Sequence, residues 1–216
     1  MFSVTSLGFL LFLALFVCLW YRVPQPSRWK LVLAVNAVFC LSIDTGAFFA
    51  VALATAVVWQ AAQHAQPEQP SRRGWMALGL AAALLPLLVL KYSGMLVPGL
   101  RDLYKPFGLA YYSLQLAGYL LDVWHGRTAP THSYARLWCY AGFFLSLTQG
   151  PFNRYNTLMP QLEAAPKTFE TQRLVSGLQR SAWGYFKKFA IADRAAIVVS
   201  AAFADPASFD RSQLIF

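Results

Sequence analysis

The sequence predicts an all-α polytopic membrane protein, a bundle of short transmembrane and interfacial helices, and three observations predict it. Of its 216 residues 57% are hydrophobic and 12% charged, a balance outside the range of soluble domains. Residues 1–21 carry no charge, and about 20 apolar residues rising 1.5 Å each cross a hydrocarbon core of roughly 30 Å. Apolar stretches then alternate with short loops bearing Arg, Lys and Pro, the pattern that orients membrane helices. The 17 Phe, 10 Tyr and 7 Trp suit rings placed at a bilayer interface.

A formal charge of +9 raises the question of nucleic acid, but the basic residues are scattered between apolar segments and form no dense run with exposed aromatics. Nucleic acid is therefore excluded as a partner, and lipid headgroups are the natural counter-ions. Cys18, Cys40 and Cys139 are far apart and inside apolar stretches, so they make neither a disulfide framework nor a metal site and read as small core residues. No Lys or Arg precedes the first apolar stretch and no small-residue cleavage site follows it, so the first helix is expected to be retained.

Arg22, Arg28 and Lys30, with Pro24 and Pro26, close the first helix in a loop that the positive-inside rule assigns to the cytoplasm, with the N-terminus outside. Residues 31–62 are apolar except for Asn36 and the Asp44-Thr45-Gly46 turn signal, and read as a two-helix hairpin. Asp44 then sits at the tip near the outer interface, which removes the cost of a carboxylate at membrane depth; a buried functional acid is the alternative. Residues 63–74 form a second basic loop, and His64 within it has no acid or nucleophile spaced to work with it. A helix over 75–90 carries Pro86, and residues 91–106 make a surface connector rich in Gly and Pro. Apolar segments at 108–124 and 137–148 flank a polar turn at 125–136, and both are short for a span or tilted.

From Arg154 onward Arg and Lys outnumber Asp and Glu by seven to three up to Arg194. Leu174, Val175, Leu178, Ala182, Tyr185, Phe186 and Phe189 recur there at steps of three and four, which predicts an amphipathic helix over 169–192 near a cytoplasmic surface. In all, about five to seven membrane-embedded or interfacial helices are expected. No internal repeat or soluble domain is present, and the apolar end at Gln213-Leu214-Ile215-Phe216 is what a fragment would show.

No G-x-S-x-G elbow, paired metal-ligand spacing or phosphate-cradling Gly loop occurs. What remains is a set of polar groups on apolar helices, namely Gln115, Asp122, Gln149, Asn153, Arg154, Gln161 and Asp193. Such groups need partners and often line a cavity. Arg154 is either a cation for a developing oxyanion or a helix-end arginine paired with an acid such as Asp122. Gln115 and Gln161 are either substrate contacts or interhelical hydrogen-bond partners. Lys187 and Lys188, beside aromatics, anchor to anionic headgroups or dock an acidic carrier; Asp193 caps a helix or pairs with a nearby cation.

Three stretches together resemble the alginate O-acetylase and D-alanyl-transferase branch of the membrane-bound O-acyltransferase family. G-L-A-Y-Y-S-L-Q at 108–115, with Y-L-L-D-V-W-H-G at 119–126, is similar to the family's G-I-S-F-Y-T-F-Q and Y-x-x-D-V-Y-R-G, except that His125 replaces Arg. G-P-F-N-R-Y at 150–155, with Pro160, Gln161 and Leu162, resembles G-P-I-x-R-Y followed by P-Q-L. Residues 177–194, with G-Y-F-K-K at 184–188 and I-A-D at 191–193, resemble G-x-x-K-K-x-x-I-A-D. The resemblance covers 108–203, and residues 1–107 match only as generic transmembrane helices.

The resemblance implies that residues 1–216 are the N-terminal part of a single acyltransferase domain, in a bacterial inner membrane and multi-pass. Its catalytic histidine is expected further on, since neither His125 nor His132 matches it, so no catalytic residue and no metal site is assigned here. Arg154, Gln115, Asp122 and Gln161 are then the candidates to line a substrate tunnel, with Lys187 and Lys188 for a lipid or partner contact. No bound cofactor is expected; the acyl group comes from the cytoplasm, from an acetyl donor or an acyl-carrier protein. The implied partners are membrane lipids, a polysaccharide acceptor, an acyl-donor protein and a periplasmic acyltransferase. D-alanyl transfer to teichoic acid, or a non-catalytic scaffold or transporter subunit, stays open as the alternative.

Overall fold

The computed structural model describes residues 6–43, 45–66, 69–89, 108–146, 150–164 and 169–204. Two compact units are distinguished, one holding residues 11–167 and the other the first turn of α1 with the described residues from Phe169 on. Asp44, residues 91–106, Gln149 and residues 213–216 lie outside the described residues, and with them the hairpin tip and the surface connector. No strand occurs among the described residues, so the all-α expectation stands.

Helix α1 spans Leu7–Arg22, with residues from Leu11 on in the first unit, and Pro24 and Pro26 hold a single 3-10 turn, Gln25–Ser27, before α2 at Arg28–Ile43. Then come α3 at Thr45–His64, α4 at Arg72–Leu87 and α5 at Leu109–Trp124. The shorter α6 and α7 occupy Tyr134–Ala141 and Tyr155–Ala164. At 1.5 Å per residue, the 16-residue helices reach about 24 Å, short of a 30 Å core. Among the described residues no helix is long and apolar enough to cross a membrane.

The core is made where α3, α4 and α5 touch one another, and α2 and α6 pack onto α3. Small residues allow the approach: Ala54, Ala61, Ala62 and Ala65 on α3 and its end are buried, as are Gly79 and Ala83 on α4. A Cβ on Gly79 would stand 2.5 Å from Leu120 Cδ2 and 2.8 Å from Ala61 Cβ, so a hydrogen at that position sets the three-helix spacing.

Two expectations are corrected. The apolar stretch that begins at residue 137 is helical only as far as Ala141, where α6 stops, and the chain turns through Gly142. Asn36 explains the stop: its Nδ2 donates to the Cys139 carbonyl at 3.0 Å and its Oδ1 accepts from the Phe144 N–H at 3.0 Å. One buried amide thus serves the end of α6 and the turn beyond it, and Phe144 packs against Phe12, Phe16 and Phe39. The second correction concerns Cys18, which is exposed on α1, while Cys40 and Cys139 are buried.

The second unit carries α8 at Thr171–Phe186, a π-helical turn at Lys187–Ala192 and α9 at Asp193–Ala204. The amphipathic pattern does give a helix, but it runs on past residue 192 into α9. Every described side chain of α8 from Gln172 to Gly184 is exposed, Leu174, Val175, Leu178 and Trp183 included.

Two glycine substitutions separate packing from propensity. Gly79→Ala is expected to destabilise the detergent-solubilised protein by about 1–3 kcal/mol, as overpacked cores do. Gly118→Ala meets nothing within 4 Å and should be neutral or stabilising by up to about 1 kcal/mol; thermal unfolding of the two variants compares them. Asn36→Leu orphans two backbone groups and should cost about 2–4 kcal/mol in the same measurement.

Candidate functional site

Helix α5 presents Tyr111, Gln115, Tyr119 and Asp122 at steps of four, four and three, which is one helical face. The segment 150–155 lies along that face. Gly150 begins it with φ +80°, a conformation that suits glycine, and stands so close to α5 that a Cβ there would meet Tyr111 Cε1 at 3.0 Å. Phe152 packs against Tyr111 with ring centroids 5.0 Å apart and the planes tilted by 30°. The Asn153 carbonyl accepts from the Tyr140 hydroxyl of α6 at 2.7 Å. Arg154 Nη1 donates to Asp122 Oδ1 at 3.2 Å, and Tyr155 packs between Tyr119 and Tyr140, 5.2 and 5.4 Å away.

Burial raises the Tyr155 hydroxyl above its ordinary pKa of 10, against a weaker opposing effect of its hydrogen bond with Thr131. Tyr155 is thus a neutral hydroxyl throughout the physiological range.

Asp122 is nearly buried, its side chain 11% exposed, and it meets a second cation. Arg127 Nη1 lies 3.7 Å from the same Oδ1. The reason is in the way α5 ends. Gly126 takes φ +68°, its N–H bonds to the Val123 carbonyl at 3.0 Å, and the Arg127 N–H bonds to the Asp122 carbonyl at 2.8 Å. These are the two bonds of a Schellman motif, which folds the residue after the glycine back over the last turn. Arg127 was missed by sequence reasoning, although Gly126 directly after an apolar helix carried the signal. The position where the family has Arg, His125, instead turns its Nδ1 to the Leu121 carbonyl at 2.8 Å.

The remaining candidates fall elsewhere. Gln115 is 2% exposed, and among the described residues neither its Nε2 nor its Oε1 has a hydrogen-bond partner. Gln161 is exposed on α7. Lys187, Lys188 and Asp193 belong to the second unit, where Lys188 pairs with Asp193 and Lys187 lies 5.6 Å from the centre of the Trp183 ring. His64 stacks on Trp75 at 4.7 Å. Among the described residues no three His, Cys, Asp or Glu side chains gather as a metal would need.

The Asp122 end of the site stands at one end of the bundle, where cations and rings collect. Arg28 faces the Trp20 ring at 5.3 Å, Arg136 the Trp29 ring at 5.7 Å and Arg72 the Trp124 ring at 3.8 Å. The Thr131 carbonyl accepts from Trp59 Nε1 and Gln63 Nε2 at 3.0 and 2.8 Å, while the Thr131 N–H donates to the Tyr119 hydroxyl at 2.8 Å. These contacts join the ends of α1 to α6 in one layer.

No family model matches the chain, and no solved structure does. Among curated proteins it is similar to the probable alginate O-acetylase AlgI of Azotobacter vinelandii, 28% identical over 219 residues that cover 93% of this chain and 44% of that protein. It is similar also to the proteins of the same name from Pseudomonas fluorescens, 28% identical over 90% of this chain and 39% of the relative, and Pseudomonas aeruginosa, 26% identical over 60% and 27%. The chain thus spans less than half the length of the curated relatives it matches. The resemblance carried by the motifs is borne out by these relatives.

An unpartnered amide is a liability in a core, so Gln115→Met, of similar shape without the polar atoms, is expected to leave thermal stability unchanged or raised by about 1 kcal/mol. A loss larger than that would show that the amide has found partners in the whole protein.

Proposed function

We propose that this chain is part of a membrane O-acyltransferase that acetylates hydroxyls of an extracytoplasmic, alginate-like polysaccharide, and that the face of α5 with segment 150–155 forms one wall of its substrate passage. The observation that carries the reading is the meeting of the first two family-like stretches. Residues 108–126 and 150–155 are joined by three contacts, Tyr111 on Phe152, Tyr119 on Tyr155 and Asp122 to Arg154. The names of the relatives supply the acyl group and the polymer.

Transfer of an acetyl group to a hydroxyl needs a base for the hydroxyl proton and a donor or cation for the oxyanion that forms on the acyl carbon. Asp122 is tied to Arg154 and Arg127, and its role is to hold the arginines. The Tyr155 ring packs beside this face against Tyr119 and Tyr140, and its neutral hydroxyl is hydrogen-bonded with Thr131. The base belongs to a part of the enzyme outside these residues, as the family resemblance implies.

The membrane part of the proposal has its own support. Polar Asn36, Thr55, Ser113 and Gln115 are buried, whereas Leu11, Leu15, Phe49, Leu53 and Leu85 are exposed, an arrangement that suits immersion in lipid better than in water. The basic and aromatic layer at one end is what a cytoplasmic interface attracts. Helices of 16 residues fit such a bundle if the surrounding bilayer thins or their flanking side chains reach the interface.

The test is transfer of labelled acetyl to a de-acetylated polyuronate by the full-length protein in proteoliposomes. Wild type is expected to form O-acetyl esters, and Asp122→Ala, by releasing both arginines, to lower the rate at least tenfold with the protein still membrane-inserted. Absence of polyuronate acetylation by inserted wild type would overturn the proposal.

A further inference from the structure

Among the described residues, two guanidinium groups against one carboxylate leave one positive charge uncompensated at the end of α5. Arg127 and Arg154 share Asp122 Oδ1, yet their side chains are 59% and 60% exposed. Other cations of the same layer are placed differently: Arg28 is buried against Trp20, and Arg136, itself exposed, has an acid of its own in Glu163 at 3.2 Å, whereas Arg127 and Arg154 share one. A pair of planar five-donor groups held at fixed positions by a common acid is suited to a tetrahedral oxyanion, because each can offer parallel N–H bonds.

The surroundings say which oxyanion. Leu121, next to Asp122, and Leu114, two turns earlier on the same face of α5, are exposed, and so is Phe152, two residues before Arg154. Apolar side chains in water beside an unbalanced cation are unfavourable for a soluble anion, which would use the charge alone. A molecule with a charged head and a hydrocarbon body satisfies both.

We propose that Arg127 and Arg154 bind the phosphate of an anionic phospholipid, whose chains lie over Leu121, Leu114 and Phe152. Asp122 presets the two guanidiniums and also limits affinity, since its carboxylate competes with the phosphate. The site rests on the membrane reading above but not on acyl transfer.

The experiment titrates the purified full-length protein, in neutral detergent, with short-chain phosphatidylglycerol, with phosphatidylcholine of the same chains, and with inorganic phosphate. Binding is followed by native mass spectrometry and by the shift in unfolding temperature. Phosphatidylglycerol is expected to bind tightest and to stabilise. Arg127→Gln and Arg154→Gln should each weaken it about fivefold, the worth of one interfacial arginine. Asp122→Asn, which keeps both guanidiniums and removes their competitor, should tighten it, so the prediction does not depend on loss alone. Equal binding of the two lipids, indifference to all three substitutions, or an equal effect of inorganic phosphate would overturn the site as a lipid site. Acetyl transfer is assayed in the same preparation: arginine-dependent lipid binding without transfer upholds this site and overturns the enzyme reading.

Discussion

A carboxylate with about a tenth of its side chain exposed has to be paired, and the pairing of Asp122 organises much of the first unit. Desolvating one unpaired charge costs several kcal/mol even after relaxation, whereas two guanidiniums at 3.2 and 3.7 Å supply more than enough opposing charge. Each comes from a different backbone device. Arg127 is returned by the Schellman turn at Gly126, and Arg154 arrives at the end of a segment that Gly150 starts in a left-handed conformation. The end of α5 and the start of α7, where the Arg154 carbonyl accepts the N–H groups of Thr157 and Leu158, thus deliver both guanidiniums to the one acid. Aromatic contacts then register the segment along α5, and the ion pair needs to contribute little energy of its own.

The same logic of local pins runs through the bundle. Helices of 16 residues surrounded by apolar side chains gain nothing from the hydrophobic effect if lipid is the solvent, so contact geometry and polar links must join them. Gly79 and the alanines of α3 permit close approach, Asn36 joins α2 to the end of α6, and Thr131 ties α3 to α5. Cations meet ring faces at one end of the bundle, where a headgroup region would supply both water and phosphate.

The all-α class was legible because hydropathy and periodicity are local properties, and so were the starts of α2 and α4 beside Pro and Arg. The end of α6 was not. Residues 137–148 are apolar throughout, and nothing within them says that Asn36, about a hundred residues earlier, will take over the carbonyl of Cys139. The Arg154 to Asp122 pair was legible as one of two readings, because a motif arginine and a motif acid on neighbouring segments have an obvious mutual use. Arg127 was hidden, as the resemblance pointed at position 125, where His125 bonds back to its own helix. Recognising Gly126 as a helix stop would have found it, since that geometry alone folds residue 127 over residue 122.

Gln115 marks where the face of α5 remains open. Its neighbours on that face are each satisfied: Tyr111 by Phe152, Tyr119 by Thr131 and Tyr155, Asp122 by two arginines. The amide between them is buried with four hydrogen-bonding positions unused among the described residues. Native cores contain few such groups, because each costs about 1–3 kcal/mol, and an apolar residue of the same size would avoid that cost. On the proposed function, a polar side chain at the centre of an otherwise completed stripe is explained by a substrate that comes to lie against this face.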